Sequence, residues 1–244
     1  MNRSRSNELL SRLKNKDDIN LVSNLSDADI ILVWWWDGFM LDTIKNNINE
    51  WKPFYGVNCG TLWFLLNSFE EDVPTSLDGI KFITENLLYV KVITEDDKVY
   101  ERYAVWDIVI WGNILDYCTY NISSIDFSQK VIWTWLIIST VLWSSGYRLS
   151  NWGQILPLKS EIIWVMWIAT KPFNYRLLKT QTISIKPESR HEIMVWIDWY
   201  WWKIDNVKEL VIDSSTKAVT LWFVAKYDFD AKRIALSNQK LSGL

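Results

Sequence analysis

Asp29-Ala-Asp-Ile-Ile-Leu-Val-Trp-Trp-Trp-Asp-Gly-Phe-Met-Leu-Asp42 is the stretch on which the fold is read. Ile30 to Val33 is a run of branched apolar residues and predicts a buried strand. Met40 to about Asn47 carries apolar residues at helical spacing and predicts a helix. Between them Asp37 meets Gly38. A strand that turns sharply into a helix points backbone N–H groups and the positive helix end at whatever lies above it, which makes a phosphate site. Such a turn needs residues without a Cβ, so that the chain takes φ > 0 and a phosphate reaches the backbone. Three tryptophans, Trp34 to Trp36, stand there instead. The residues contradict the turn they occupy.

Glycine in place of Trp35 and Trp36 turns the segment into Gly-Gly-Asp-Gly. The same exchange repairs three further segments. Pro53-Phe-Tyr-Gly-Val-Asn-Cys-Gly-Thr-Leu-Trp-Phe-Leu65 becomes Asn-x-Gly-x-Leu-Gly-Phe-Leu, with Trp63 on the last glycine. Trp135-Leu-Ile-Ile-Ser-Thr-Val-Leu-Trp-Ser-Ser-Gly-Tyr-Arg-Leu-Ser-Asn-Trp-Gly153 becomes Gly-Leu-x-x-Ser-Thr-Pro-x-Gly-Ser-Thr-Ala-Tyr-x-x-Ser-x-Gly-Gly in outline, with Trp135, Trp143 and Trp152 on glycines. Ile197-Asp-Trp199 becomes Ile-Asp-Gly. In this order, between about residues 29 and 225, the four segments resemble the signature motifs of the NAD kinases.

The chain has 18 tryptophans and 8 glycines, 26 together. Average usage would put roughly 17 glycines in this length, so the combined number suits a glycine-rich nucleotide enzyme. A tryptophan-rich core or a carbohydrate-stacking surface fails on position, because the tryptophans favour turns. Asp198-Trp199-Tyr-Trp-Trp202 sits where a hairpin wants Asp-Gly. The expectation is that positions 35, 36, 63, 135, 143, 152 and 199 are UGA codons, written as tryptophan by the translation table and read as glycine by the organism, as some bacterial lineages do.

A length of 244 residues allows one large domain or two modest ones. Net charge −3 and pI near 5.3 leave no basic footprint for nucleic acid. Cys59 and Cys118 are too few for a disulfide framework and read as buried thiols in a reducing cytoplasm. His191, the single histidine, lies in the polar run Lys186-Pro-Glu-Ser-Arg-His-Glu192 and reads as a solvated loop residue. A histidine-rich metal site is excluded, and a Ser-His-Asp triad would have to use His191. Met1 to Asn7 lacks a signal-peptide pattern and leads into an amphipathic helix over about 7–15. The longest apolar run, Val131 to Trp143, is too short to span a bilayer and predicts a core strand.

Residues 29–86 alternate strand and helix: strand 29–34, helix 39–48, strand 53–57, helix 61–67 and a helix from Leu77 to Asn86. That pattern predicts a parallel α/β sheet. Short strand-like segments follow: 88–94, 99–105, 107–111, 121–125, 136–140, 162–168, 182–185, 193–197, 209–214 and 218–223. They predict a β-sandwich, interrupted by one helix near 144–150. The tail, 229–244, reads as a helix packing back on the first domain. The fold class is thus an α/β N-terminal domain with a Rossmann-like parallel sheet (1–86, with 226–244) plus a C-terminal all-β sandwich-like domain (87–225). The resemblance implies the same two-domain, NAD kinase-like architecture, with a cleft between the domains as the default ligand site.

Phosphorylating a ribose hydroxyl needs a base for its proton and dipoles or Mg²⁺ for the phosphate charge. Asp37 is the candidate base; the ordinary alternative is a helix N-cap aspartate. Gly38, with Trp35 and Trp36 read as glycine, forms the phosphate turn. The resemblance implies that Asp37 and Gly38 also touch NAD. It places the family's Asn-Glu pair on Trp106-Asp107, where Asp107 keeps an acceptor but the asparagine is absent. It puts an aspartate position on Thr134, a departure. Ser145, Gly146, Tyr147, Arg148, Leu149 and Ser150 match the dinucleotide-contacting segment, with Tyr147 as a stacking ring or, more plainly, a core aromatic. Ala169 falls in a Pro-Ile-Ala-Pro-His-like stretch whose Pro-His is here Thr170-Lys171, and Tyr200 stands where glutamine often follows Ile-Asp-Gly. No metal site built from protein ligands alone is expected.

Three functions compete. The first is an NAD kinase, a phosphotransferase moving a phosphoryl group from ATP or polyphosphate, with Mg²⁺ or another divalent metal, to the 2′-hydroxyl of NAD's adenosine ribose. The second is a lipid or sugar kinase sharing the Gly-Gly-Asp-Gly turn. The third is a catalytically dead nucleotide-binding protein, if the tryptophans are literal. The resemblance implies NAD and ATP as partners, no nucleic acid or membrane, a dimeric or tetrameric homo-oligomer, and a cytoplasmic location.

Overall fold

A computed structural model describes residues 3–60, 63–71, 73–74, 76–112, 118–146, 155–168, 174–178, 181–188, 192–198, 202–226 and 228–242. The chain forms two compact units, Met1–Glu85 with Pro157–Lys159 and Val219–Leu244, and Asn86–Leu156 with Ser160–Ala218.

In the first unit β1 (Ile31–Trp35) pairs in parallel with β2 (Phe54–Asn58), Ile31 opposite Phe54 and Trp35 opposite Asn58. The end of β14 (Val207–Val224) pairs in parallel on the other side of β2, through Leu221 and Trp222. Flanked on both edges, β2 is buried at every residue, as a central parallel strand must be. A Cβ on Gly56 would lie 2.3 Å from Cδ2 of Leu66; glycine here lets the following loop lie against the strand. Helix α1 (Arg3–Lys14) buries Leu9 and Leu13, one turn apart, in a core with Tyr55, Val57 and Phe69. Its Arg12 donates to the carbonyls of Phe69 (2.8 Å) and Glu71 (3.2 Å). Helix α2 (Asp37–Asn46) buries Met40, Leu41 and Ile44. Helix α3 (Phe229–Ser242) starts on a stacked pair, Phe229 on Phe223 with centroids 3.7 Å apart.

The second unit is antiparallel. One sheet runs β10 (Asn174–Leu178), β9 (Ile162–Ile168), β8 (Trp135–Ser139), β5 (Asp107–Trp111), β12 (Met194–Ile197) and β13 (Trp202–Ile204). The other runs from β14 through β11 (Ile183–Pro187) and β6 (Cys118–Ser124) to β7 (Phe127–Trp133), with β3 (Ile80–Thr94) pairing β14 and β4 (Val99–Ala104). Both sheets contribute to one apolar core, including Val90, Ile110, Tyr120, Ile138, Val195 and Leu210.

Four local expectations are corrected. Residues 63–67 form a loop, not a helix, because the N–H groups of Phe64 and Leu65 bond Asp37. The helix over 77–86 is instead a short 3₁₀ turn, Leu77–Gly79, leading into β3. There Ile83, Glu85 and Leu87 are buried at alternate positions, the period of a strand, and Thr84 bonds Thr220 across to β14 (3.1 Å). Segments 209–214 and 218–223 are one continuous strand, β14. The apolar run from Val131 is broken at Thr134 between β7 and β8, and its continuation at 141–146 is a turn rather than the start of a helix.

Candidate active site

Asp37 opens α2 at the end of β1, and Trp36 is the helix N-cap, with no side-chain cap bond. The Asp37 carboxylate therefore does not cap its own helix. It accepts the N–H of Phe64 at Oδ2 (2.7 Å) and that of Leu65 at Oδ1 (2.9 Å), and it is 8% exposed. Two fixed donors orient a carboxylate while leaving it further acceptor capacity on both oxygens. The donor loop is anchored in turn. Asn58 accepts the Gly60 N–H (2.8 Å) and donates to the Gly60 carbonyl (3.1 Å). Asn67 donates to the carbonyls of Gly56 (2.9 Å) and Trp222 (3.1 Å) and accepts the Val224 N–H (2.9 Å). Arg233 on α3 is fully buried; desolvation lowers its pKa to about 10, opposed by Asp230, Asp37 and Glu85.

The second cluster is built on Val105-Trp106-Asp107. Asp198, fully buried, accepts the N–H groups of Val105 (2.9 Å) and Trp106 (2.8 Å). Its own N–H donates to the Asp107 carbonyl (2.9 Å). Thr140 donates from Oγ1 to the carbonyls of Val105 and Trp106, 2.7 Å each, and accepts the Trp143 N–H (3.2 Å). Ser144 accepts the Leu156 N–H (3.1 Å). Within this frame Asp107 is 1% exposed, and neither carboxylate oxygen has a hydrogen-bond partner among the described residues. Burial, and then the Asp198 charge, push it up to about 7. A buried acceptor pair without a donor is a place for one carried by a ligand.

Of the residues singled out in the sequence, Trp35 ends β1, Trp36 is the extended N-cap (φ −134°) and Asp37 and Gly38 open α2, so the positive φ expected of this turn is not taken by any of them. Trp106 and Asp107 lie in the second cluster, with Trp106 and Trp143 in ring contact at 5.0 Å; Gly146 donates its N–H to the Trp143 carbonyl (2.9 Å), and Ser145 beside it is buried. Thr134 lies at the far end of β8 from Ser139, the residue that pairs with Asp107. Tyr147, Arg148, Leu149, Ser150, Ala169, Tyr200 and His191 lie outside the described residues. Asp198, Thr140, Asn58, Asn67 and Arg233 were not singled out. Asp198, Thr140 and Asn58 lie within the quoted motifs and were legible there; Asn67 and Arg233 carry no local signal.

Cys59 and Cys118 are buried and unbridged. Burial raises the Cys59 thiol, with Ser6 and Arg5 pulling the other way, which suits an inert thiol. Among the described residues no three His, Cys, Asp or Glu side chains gather as a metal cage, and no helix is long and apolar enough to cross a membrane. Mg²⁺ in phosphoryl transfer needs only one or two carboxylates plus substrate phosphates, so a lone Asp37 fits that mode. A groove of about 830 Å³ in the first unit, lined by Leu10, Ile31, Pro74 and Trp222 among others, does not reach Asp37.

No protein-family model matches the chain. The NAD kinase of Rickettsia bellii is 27% identical over 212 residues, 82% of each chain. That of Hyphomonas neptunium is 27% identical over 174 residues, 69% of this chain and 66% of the relative. That of Brucella suis is 30% identical over 141 residues, 56% of this chain and 54% of the relative. The matched part thus spans from about half to four-fifths of these relatives. An Archaeoglobus fulgidus NAD kinase solved with ATP superposes with a TM-score of 0.69 at 17% identity, over 97% of this chain and 94% of that one. Yeast NADH kinase solved with NADH gives 0.71 at 18%, over 95% and 72%. At these identities the solved structures speak to fold.

Proposed function

We propose that this chain, which belongs to the NAD kinase family, transfers the γ-phosphoryl group of ATP to the 2′-hydroxyl of the adenosine ribose of NAD. The observation that carries the proposal is Asp37, a buried carboxylate at the strand–helix turn aimed by two backbone donors. In the reaction Asp37 takes the hydroxyl proton as the ribose oxygen bonds to the γ-phosphorus. The bond from that phosphorus to the bridging oxygen breaks, leaving ADP, NADP and a proton. The N-terminus of α2 presents N–H groups and a positive dipole end to the phosphates. Mg²⁺, when bound, neutralises phosphate charge; Asp37 is the residue at the turn able to share it.

Asp107 supplies acceptor oxygens to a hydroxyl or carboxamide of NAD. By resemblance, Ser145 through Ser150, Ala169, Thr134 and Tyr200 complete the dinucleotide contact. We read the protein as a cytoplasmic homo-oligomer on the same ground. Incubating the purified protein with NAD, ATP and Mg²⁺ and following NADP with an NADP-specific dehydrogenase tests the activity; polyphosphate in place of ATP tests the donor. Phosphorylation of a sugar or lipid instead of NAD would overturn the proposal.

A further inference from the structure

We infer that Trp51 is glycine in the protein that the cell makes, and that one codon, UGA read as glycine, accounts for it together with Trp35, Trp36 and Trp143. The backbone carries this. Trp51 has φ of 56°, the left-handed region, where the Cβ of an L-residue crowds the following carbonyl and where a bulky side chain is an outlier. Nothing compensates, because the side chain is 79% exposed. The chain leaves α2 through its C-cap Asn47, Glu50 N–H bonds the Asn47 carbonyl (3.0 Å), and Pro53 precedes β2. A residue before proline is confined to extended backbone, so Lys52 cannot take the reversal and residue 51 must. Glycine does so without steric cost.

The distribution of such backbone points the same way. The other described residues at positive φ are Asp97, Lys159, Asp198 and Asn206, and no described glycine is among them. Aspartate and asparagine tolerate that region, and Lys159 is tied there by its N–H to Glu85 (3.0 Å); a tryptophan there is an outlier. At position 143 the problem is volume. The Trp143 indole lies so close over Gly146 that a Cβ there would stand 2.2 Å from Cε2, and it packs on Trp106, whose buried Nε1 has no acceptor among the described residues. A buried indole N–H normally has a partner. At 35 and 36 the indoles and Phe39 form an aromatic cluster at the N-terminus of α2, where Trp36 is half exposed and offers no capping oxygen. Independent mutations would not raise tryptophan to 18 while glycine falls to 8. A single codon with two meanings does both at once.

The test is tandem mass spectrometry of the protein isolated from its own cells, on peptides covering residues 29–42, 46–52 and 136–146. The expected residues at 35, 36, 51 and 143 are glycine, each peptide lighter by the difference between an indolylmethyl group and hydrogen. Tryptophan at 51 overturns the inference. A second measurement addresses the backbone directly, comparing the chain as written with its Trp51→Gly variant in urea. The folded-to-unfolded ratio should rise about 5-fold, near the lower end of what relief of a left-handed side chain supplies, since glycine also loses more freedom on folding. An unchanged or lower ratio overturns it. Neither readout uses catalysis, so a failed NADP assay and a failed recoding are told apart.

Discussion

Asp37 and Asp107 are both buried aspartates, 8% and 1% exposed, and the fold treats them in opposite ways. Asp37 receives two backbone N–H donors from the loop after β2. Asp107 receives none among the described residues, because Asp198 beside it takes the available N–H groups of Val105 and Trp106. A carboxylate held by donors is oriented and ready to accept a proton from a substrate. A carboxyl stripped of donors is held for whatever ligand brings them. On the proposed function, Asp37 would serve the chemistry and Asp107 the recognition of NAD.

The largest effect should come from the oriented carboxylate. Asp37→Asn removes the proposed base and leaves one of the Phe64 and Leu65 N–H groups facing an amide NH2, so kcat for NAD phosphorylation should fall about 10²–10⁴-fold while stability falls by about 1–3 kcal/mol. Near-normal turnover would make Asp37 a structural residue and end the contrast with Asp107.

The stripped carboxyl should announce itself in the pH dependence of stability. Asp107 is raised to about 7 in the fold from an ordinary 3.8, so between those values the folded state holds a proton that the unfolded chain has released. Its contribution is fully present below about pH 4 and is lost as pH rises through about 7, at up to about 1.4 kcal/mol per pH unit. Urea melts at pH 5 and pH 7 of parent and Asp107→Asn should show this fall only in the parent. Identical slopes would mean that Asp107 ionises as if solvated.

Asp198→Ala leaves the Val105 and Trp106 N–H groups without their acceptor, at a cost of about 1–3 kcal/mol for a buried donor. The urea midpoint should drop with the m-value unchanged. In the same variant Asp107 loses its like-charged neighbour, so the pH window above should narrow from its upper end. A window that stays put would leave burial as the whole cause.

The smallest effect tests the support of the first site. Asn58→Ala removes both side-chain bonds to Gly60, each worth about 0.5–1.5 kcal/mol. It should lower kcat more than it changes the KM for NAD, because the loop that aims Asp37 loosens. A change confined to stability would detach Asn58 from the Asp37 geometry.

Some of this protein is decided locally and is legible in its residues. The strand and the helix flanking this stretch follow from an apolar run and helical apolar spacing, but α2 begins at Asp37, so the Asp-Gly pair expected as a turn is the first turn of the helix. The antiparallel strands of the second unit follow from period-two alternation, and the two-domain α/β plus all-β class with them. The motif marks Asp107 as a candidate binding residue, and only the packed structure shows both its oxygens buried with no donor among the described residues. Tertiary structure alone decided the rest. Residues 63–67 look helical until Asp37 takes two of their N–H donors, and Leu77 to Asn86 looks helical until β14 offers Thr84 a partner. Asn67 and Arg233 have no local pattern, because each acts on backbone or charge far away in sequence, Asn67 on Trp222 and Val224, Arg233 on Asp37 and Glu85. Local propensity reports what a segment does with its own hydrogen bonds; which distant group claims them is settled only when the chain is packed.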